Sequence, residues 1–132
     1  MIIKPINTVV IAEDFAKMLK WYLDTFEFTT ETYPGMEDSY VGLLSNGVHV
    51  IGLTACSEEN KPPTPRNNAT FMQVSCSHIF TLFSRIESNG GEVLFGPARD
   101  EGYWYGGVKD IEGNQIWVFT PDADLVEDVP KK

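Results

Sequence analysis

At 132 residues, 42% of them hydrophobic, the chain is long enough for one compact domain or two fused half-domains with a real core. Nineteen acidic against ten basic residues leave a formal net charge of −9, which repels phosphate backbones and argues against nucleic acid as a partner. No apolar run approaches the roughly 20 residues of a membrane span, and Met1-Ile2-Ile3-Lys4-Pro5 lacks the charged and apolar regions of a signal peptide. A cytoplasmic protein with no membrane partner is expected.

In chain order, residues 6–11 read as a strand. Pro5, which donates no ladder hydrogen bond, places that strand at a sheet edge. Phe15, Met18, Leu19, Tyr22, Leu23 and Phe26 recur at three and four residue steps, predicting a helix over 14–26 with Asp14 as N-cap. Strands follow at 28–33, 39–44 and 48–54. Residues 55–67, with Pro62, Pro63 and Pro65, hold neither ladder nor helix and read as a linker. The pattern then repeats: a strand at 69–74, a helix over 78–89, and strands at 92–95, 103–109 and 115–120. The second helix carries Ile79, Leu82, Phe83 and Ile86 on one face, and Asn89-Gly90-Gly91 supplies its left-handed stop. Asp110-Ile111-Glu112-Gly113-Asn114 is a hairpin turn on its own merits. Strand, helix and three strands thus occur twice, in a first module at 1–54 and a second at 68–121. An acidic tail over 122–132 carries Asp122, Asp124, Glu127 and Asp128. One such unit cannot cover both faces of its own sheet, so two copies predict a paired-module fold.

Catalytic signatures are few. The two cysteines, Cys56 and Cys76, form no C-x-x-C pair and read as free thiols in a reducing compartment. There is no G-x-S-x-G elbow and no G-x-G-x-x-G after a strand. Gly102-Tyr103-Trp104-Tyr105-Gly106-Gly107 is glycine-rich but precedes a strand, so no helix dipole stands behind it for a phosphate.

The run from Ile6 to Phe15, leading to Trp21-Tyr22 and Phe26-Glu27-Phe28, resembles the opening of the vicinal oxygen chelate superfamily, which includes glyoxalases, extradiol dioxygenases and bleomycin-resistance proteins. Gly90-Gly91-Glu92-Val93-Leu94-Phe95-Gly96-Pro97 is similar to its G-G-x-V-x-x-G-P motif. Val108-Lys109-Asp110-Ile111-Glu112-Gly113-Asn114-Gln115-Ile116 is similar to its V-x-D-P-D-G-N-x-I motif, with Ile111 where proline is usual. The resemblance implies an α+β fold of two paired βαβββ modules, with curled mixed sheets around an open cup, usually completed as a homodimer. In metal-dependent members it implies four ligands on the first and last strands of each module, and the matched positions here are Thr8, Gly52, Ala69 and Trp117. One hydroxyl, two residues without a donor atom and an indole without an available lone pair make no ligand set for a divalent metal. His49, three residues from Gly52, is expected on the opposite, helix-facing side, and His78 falls at a helix start. No metal, cofactor or catalytic residue is therefore assigned.

Taking the matched positions as inward-facing, alternation puts Ile6, Thr8 and Val10, then Val48, Val50 and Gly52, on the concave face of the first module. In the second it puts Ala69, Phe71 and Gln73, then Gln115, Trp117 and Phe119, on that face. The inward parity of Tyr103-Trp104-Tyr105 stays open. The candidate ligand-binding residues are Thr8, Val50, Gly52, Phe71, Gln73, Trp104, Tyr105 and Trp117. Aromatic walls with a few polar groups suit a flat organic ligand, although aromatic residues at strand spacing also serve as core or dimer interface. Lacking metal ligands and carrying acidic charge, the chain resembles the metal-free bleomycin-resistance branch, which implies a binding or sequestering protein for a planar aromatic or cationic small molecule. A metal-dependent lyase, isomerase or dioxygenase with unrecognised ligands, or a structural or regulatory dimer, are the alternatives.

Overall fold

A computed structural model describes residues 1–62 and 70–131. The chain divides into two compact units, Met1–Pro65 and Arg66–Lys132. In the first, β1 (Thr8–Ala12) leads to α1 (Phe15–Phe26), then β2 (Thr29–Glu31), β3 (Tyr40–Ser45) and β4 (Val48–Ala55). In the second, β5 (Met72–Ser75) leads to α2 (Ile79–Ser88), then β6 (Glu92–Asp100), β7 (Tyr103–Lys109) and β8 (Gln115–Pro121), with a short 3-10 turn at Asp122–Asp124. Each unit holds one mixed four-stranded sheet, in the orders β1-β4-β3-β2 and β5-β8-β7-β6. The expected α+β fold of two βαβββ modules is therefore present. Pro5 stands just ahead of β1, which is the edge of its sheet.

Local chemistry explains the helices. Asp14 accepts a hydrogen bond from Lys17 N at 3.1 Å and so opens α1 as its N-cap. The buried face of α1 is Met18, Trp21, Tyr22 and Thr25. It is rotated from the predicted stripe, for Leu19 and Leu23 are only half-buried and Trp21 takes a core place. In α2 the predicted face holds, with Ile79, Leu82, Phe83 and Ile86 buried. Its C-terminal end is closed by Gly91 N donating to Ile86 O at 2.8 Å across the left-handed Gly90. Each of these fully buried apolar side chains contributes about 1.5–3 kcal/mol relative to exposure.

One strand runs well past its expected end. β6 continues past Gly96-Pro97 to Asp100, through register shifts between Val93 and Phe95 and again between Phe95 and Ala98. These irregularities let proline sit within a paired strand at the sheet edge. The hairpin between β7 and β8 is closed by buried Asp110, whose Oδ1 accepts from Glu112 N and Asn114 N, each at 2.9 Å. Of the predicted linker, Pro63, Pro65 and their neighbours lie outside the described residues, as does Ala69.

Candidate ligand-binding faces

Side chains of directly paired residues share one face of a sheet, so register decides which residues meet. In the first unit, β1 places Thr8 beside Ile51 and Val10 beside Leu53, while β3 places Leu43 beside Ile51 and Val41 beside Leu53. Val10, Val41, Leu43, Ile51 and Leu53 are all buried, and α1 packs on this side against β4. Thr8 and Val10 therefore lie on the helix-covered face and not with Gly52. The neighbour of Gly52 on β1 is Val9. The polar side chain that reaches Gly52 is Asn7, which the one-residue error in face had hidden. Its Nδ2 donates to Tyr40 Oη at 3.5 Å, and a Cβ on Gly52 would meet that Oη at 2.5 Å and the Asn7 Nδ2 at 3.1 Å. The missing side chain leaves the space that these two polar groups close over.

His49 is also moved to the other face. Leu43 pairs with Ile51, but Leu44 pairs with His49, leaving Val50 as the unpaired residue of a β-bulge. An extra residue inverts the alternation beyond it. His49 thus shares the face of Gly42 and Gly52, Val48 turns to the opposite one beside Ser45, and alternation no longer assigns Val50. The His49 ring lies on Gly42, whose Cβ would stand 3.0 Å from its Cε1. Its Nε2 is 3.3 Å from Glu31 Oε2, and Tyr33 Oη donates to Glu31 Oε1 at 2.9 Å. That bond, with the added burial and charge of the carboxylate, raises the Tyr33 hydroxyl above its ordinary ionisation range. The His49 Nδ1 is buried with no hydrogen-bond partner among the described residues. The open face of the first sheet is thus polar, with Asn7, Glu31, Tyr40 and His49 gathered over two glycines.

In the second unit the corresponding face is aromatic. Trp117 pairs with Gly107 on one side and Gln73 on the other, as Gly52 pairs with Gly42 and Val9. Phe119 pairs with Tyr105 and Ser75, and Phe95 pairs with Gly107. Rings touch across this face. Trp117 lies 5.0 Å from Phe71 and 6.1 Å from Phe95, Phe95 lies 6.2 Å from Tyr105, and Tyr103 lies 5.8 Å from Tyr105 and 4.7 Å from Phe119. Trp117 remains 40% exposed. It is therefore no core residue, and its indole presents free surface flanked by two rings. Tyr103 Oη donates to Asp100 Oδ2 at 3.1 Å, and that bond raises the Tyr103 hydroxyl above its ordinary range.

The parity of the Tyr-Trp-Tyr run is settled by pairing. Tyr105 faces outward with Phe119, whereas Trp104 pairs with buried Thr120 on the helix side. There its ring stands 4.9 Å from Phe80 of α2, and the Arg99 guanidinium lies 5.7 Å from its centroid. Trp104 is thereby removed from the candidate set. Phe95 enters it, and the signal was Gly107, whose missing side chain leaves the space that the Phe95 ring fills.

A divalent metal is poorly served by these residues. Thr8 points away, Gly52 offers no donor, Ala69 is outside the described residues, and Trp117 offers an indole. Among the described residues no three His, Cys, Asp or Glu side chains converge. His78 stands at the start of α2 with its Nδ1 2.8 Å from Ser77 Oγ. Cys56 and Cys76 form no disulfide, and the Cys76 Sγ accepts from His78 N at 3.3 Å. Among the described residues no helix is long and apolar enough to cross a membrane. A separate cleft of about 550 Å³ lies behind the second sheet, between α2, β6 and the tail, lined by Phe80, Ser84, Arg85, Pro97, Asp128 and Pro130 among others.

A profile of the Glyoxalase/Bleomycin resistance protein/Dioxygenase superfamily matches residues 4–118. Among solved structures, TioX from Micromonospora sp. ML1 is similar at 16% identity, with a TM-score of 0.68 over 89% of this chain and 98% of that one. TnmS3, an antibiotic binding protein from Streptomyces sp. CB03234, is similar at 18% identity, with a TM-score of 0.66 over 92% of this chain and 98% of that one. A family enzyme from Burkholderia phytofirmans PsJN gives 13% identity and a TM-score of 0.67 over 88% and 97% of the two chains. At these identities the structural likeness speaks to the fold. No curated protein matches the sequence.

Proposed function

From a chain that belongs to the Glyoxalase/Bleomycin resistance protein/Dioxygenase superfamily, we propose a metal-free protein that binds a planar aromatic small molecule on the outward face of its second sheet. The observation that carries this is the half-exposed Trp117, flanked by Phe71 and Phe95 and continued by Tyr105, Tyr103 and Phe119. A flat ligand stacking on such rings gains both area and quadrupole contacts, with Gln73 beside Trp117 as a polar handle. The net charge of −9 favours a cationic ligand over an anionic one. The neighbour TnmS3, an antibiotic binding protein, supports small-molecule binding. With no donor set at the matched positions, sequestration rather than Lewis-acid chemistry is the activity we assign. We further propose a homodimer, burying more than about 1,000 Å² in total, and a reducing compartment, consistent with two cysteines that form no disulfide.

The reading is tested by tryptophan fluorescence. Trp21 is buried in α1 and Trp104 lies on the helix side, so Trp117 is the tryptophan open to a ligand. Titration with the planar cation 9-aminoacridine should quench emission saturably. Stoichiometric zinc, nickel, iron or manganese in protein purified without chelator would contradict the metal-free assignment.

A further inference from the structure

The first turn of α2 is completed by a residue from the far end of the chain. A helix begins with N–H groups that lack intrahelical partners, and an N-cap side chain normally takes those of the second and third residues. In α2 the N-cap residue, His78, makes no such bond, and the first turn carries no acid. Glu127 stands in for both. Its Oε1 accepts from Phe80 N at 2.6 Å and from Thr81 N at 3.3 Å, and its Oε2 accepts from Thr81 N at 3.3 Å and from the Thr81 hydroxyl. A carboxylate at this end also meets the positive pole of the helix dipole. The tail is fastened ahead of the cap, by Val126 N donating to Ser77 O at 3.1 Å and by the Arg99–Asp122 ion pair at 2.8 Å.

This turn stands directly behind the aromatic face. The Phe80 ring packs edge-on against Trp104 at 4.9 Å, and Phe83 presses on Gly106, where a Cβ would lie 2.5 Å from its ring. Trp104 and Gly106 alternate along β7 with Tyr105 and Gly107, the residues that face outward with Phe95 and Trp117. Resting on the proposed function, we infer that Glu127 is a positioning residue for the ligand face: the tail straps the first turn of α2 against β7 and so sets the aromatic surface without touching the ligand.

Amide hydrogen exchange and 9-aminoacridine titration of the full chain test this in wild type, Glu127→Ala and Glu127→Gln. Loss of the cap should speed exchange at Phe80 and Thr81 by about tenfold, shift the Tyr105 and Gly107 amide resonances, and weaken the probe by about threefold to tenfold. Gln keeps one acceptor oxygen and should restore part of each effect, and it carries the test if the Ala variant does not fold. Wild-type exchange at Phe80 and Thr81 in the Ala variant, or in the Gln variant if Ala does not fold, would overturn the strap. Faster exchange with unchanged amide resonances and unchanged affinity would overturn the positioning role. A wild type that binds no probe would defeat the proposed function, and the positioning role with it, leaving the cap to be judged by exchange alone.

Discussion

The two sheets share one register and carry opposite surfaces. Gly52 in the first occupies the place of Trp117 in the second, Gly42 the place of Gly107, and Val9 the place of Gln73. Where the central position is glycine, polar side chains from the neighbouring strands fold inward: Tyr40 and Asn7 close over Gly52, and His49 over Gly42. Where it is tryptophan, the flanking places hold Phe71 and Phe95, and the surface becomes a continuous aromatic wall. The backbone fixes which positions meet, and the side chains that stand at them make one face polar and the other aromatic.

Five substitutions separate the halves, beginning with the largest expected effect. Gly106→Ala should be the most costly, because its Cβ would meet the Phe83 ring at 2.5 Å and the Phe95 carbonyl oxygen at 2.8 Å. A loss of about 2–3 kcal/mol is expected in urea melts. Gly52→Ala meets only the end of the Tyr40 side chain and Asn7, groups that can swing aside, and should cost about 1 kcal/mol or less. Equal losses for the two would break the contrast between a packed and an adaptable glycine.

Trp117→Ala should weaken 9-aminoacridine by about 1–3 kcal/mol, while its half-exposed position limits the loss of folding stability to about 1.5 kcal/mol. Tyr40→Phe on the polar face should leave the same titration unchanged. Glu31→Gln weakens the hold on His49, but the pair is partly solvent-exposed at 29% and 47%. A change within about 0.5 kcal/mol is expected in the same melts.

The smallest effect is alkaline. Tyr33 and Tyr103 each donate to a carboxylate, so in the folded protein both ionise above their ordinary value of 10.0. A raised folded value contributes stability below the unfolded phenol range and loses it as pH climbs through the folded one. Replacing both by phenylalanine should make the fall in stability above pH 10 less steep, read by melts across that range. A steeper fall would reverse the sign.

Much of the fold was legible because helices announce themselves by period and cap. Asp14, the Ile79 to Ile86 face and Gly90 all serve as read, and β7 spans the residues expected of it. Faces were harder. Residues 6–11 carry one polar and two apolar side chains on each parity, so nothing in them tells whether Thr8 or Asn7 shares the face of Gly52, and the pairing with β4 decides. The bulge at Val50 leaves no mark in the sequence, yet it carries His49 across the sheet. Tyr103-Trp104-Tyr105 offers an aromatic ring to either side, and only the partners Thr120 and Phe119 tell Trp104 from Tyr105. Phe95 was overlooked because Gly96-Pro97 reads as the end of a strand that in fact continues.

The claim that the second sheet's aromatic wall receives the ligand is tested most directly by mapping amide and side-chain resonances during titration with 9-aminoacridine. The shifts should centre on Phe71, Gln73, Phe95, Tyr105 and the Trp117 indole, with Asn7, Tyr40 and His49 unmoved. Shifts centred on Asn7, Tyr40 and His49, or on the cleft lined by Ser84 and Arg85 behind the sheet, would contradict it.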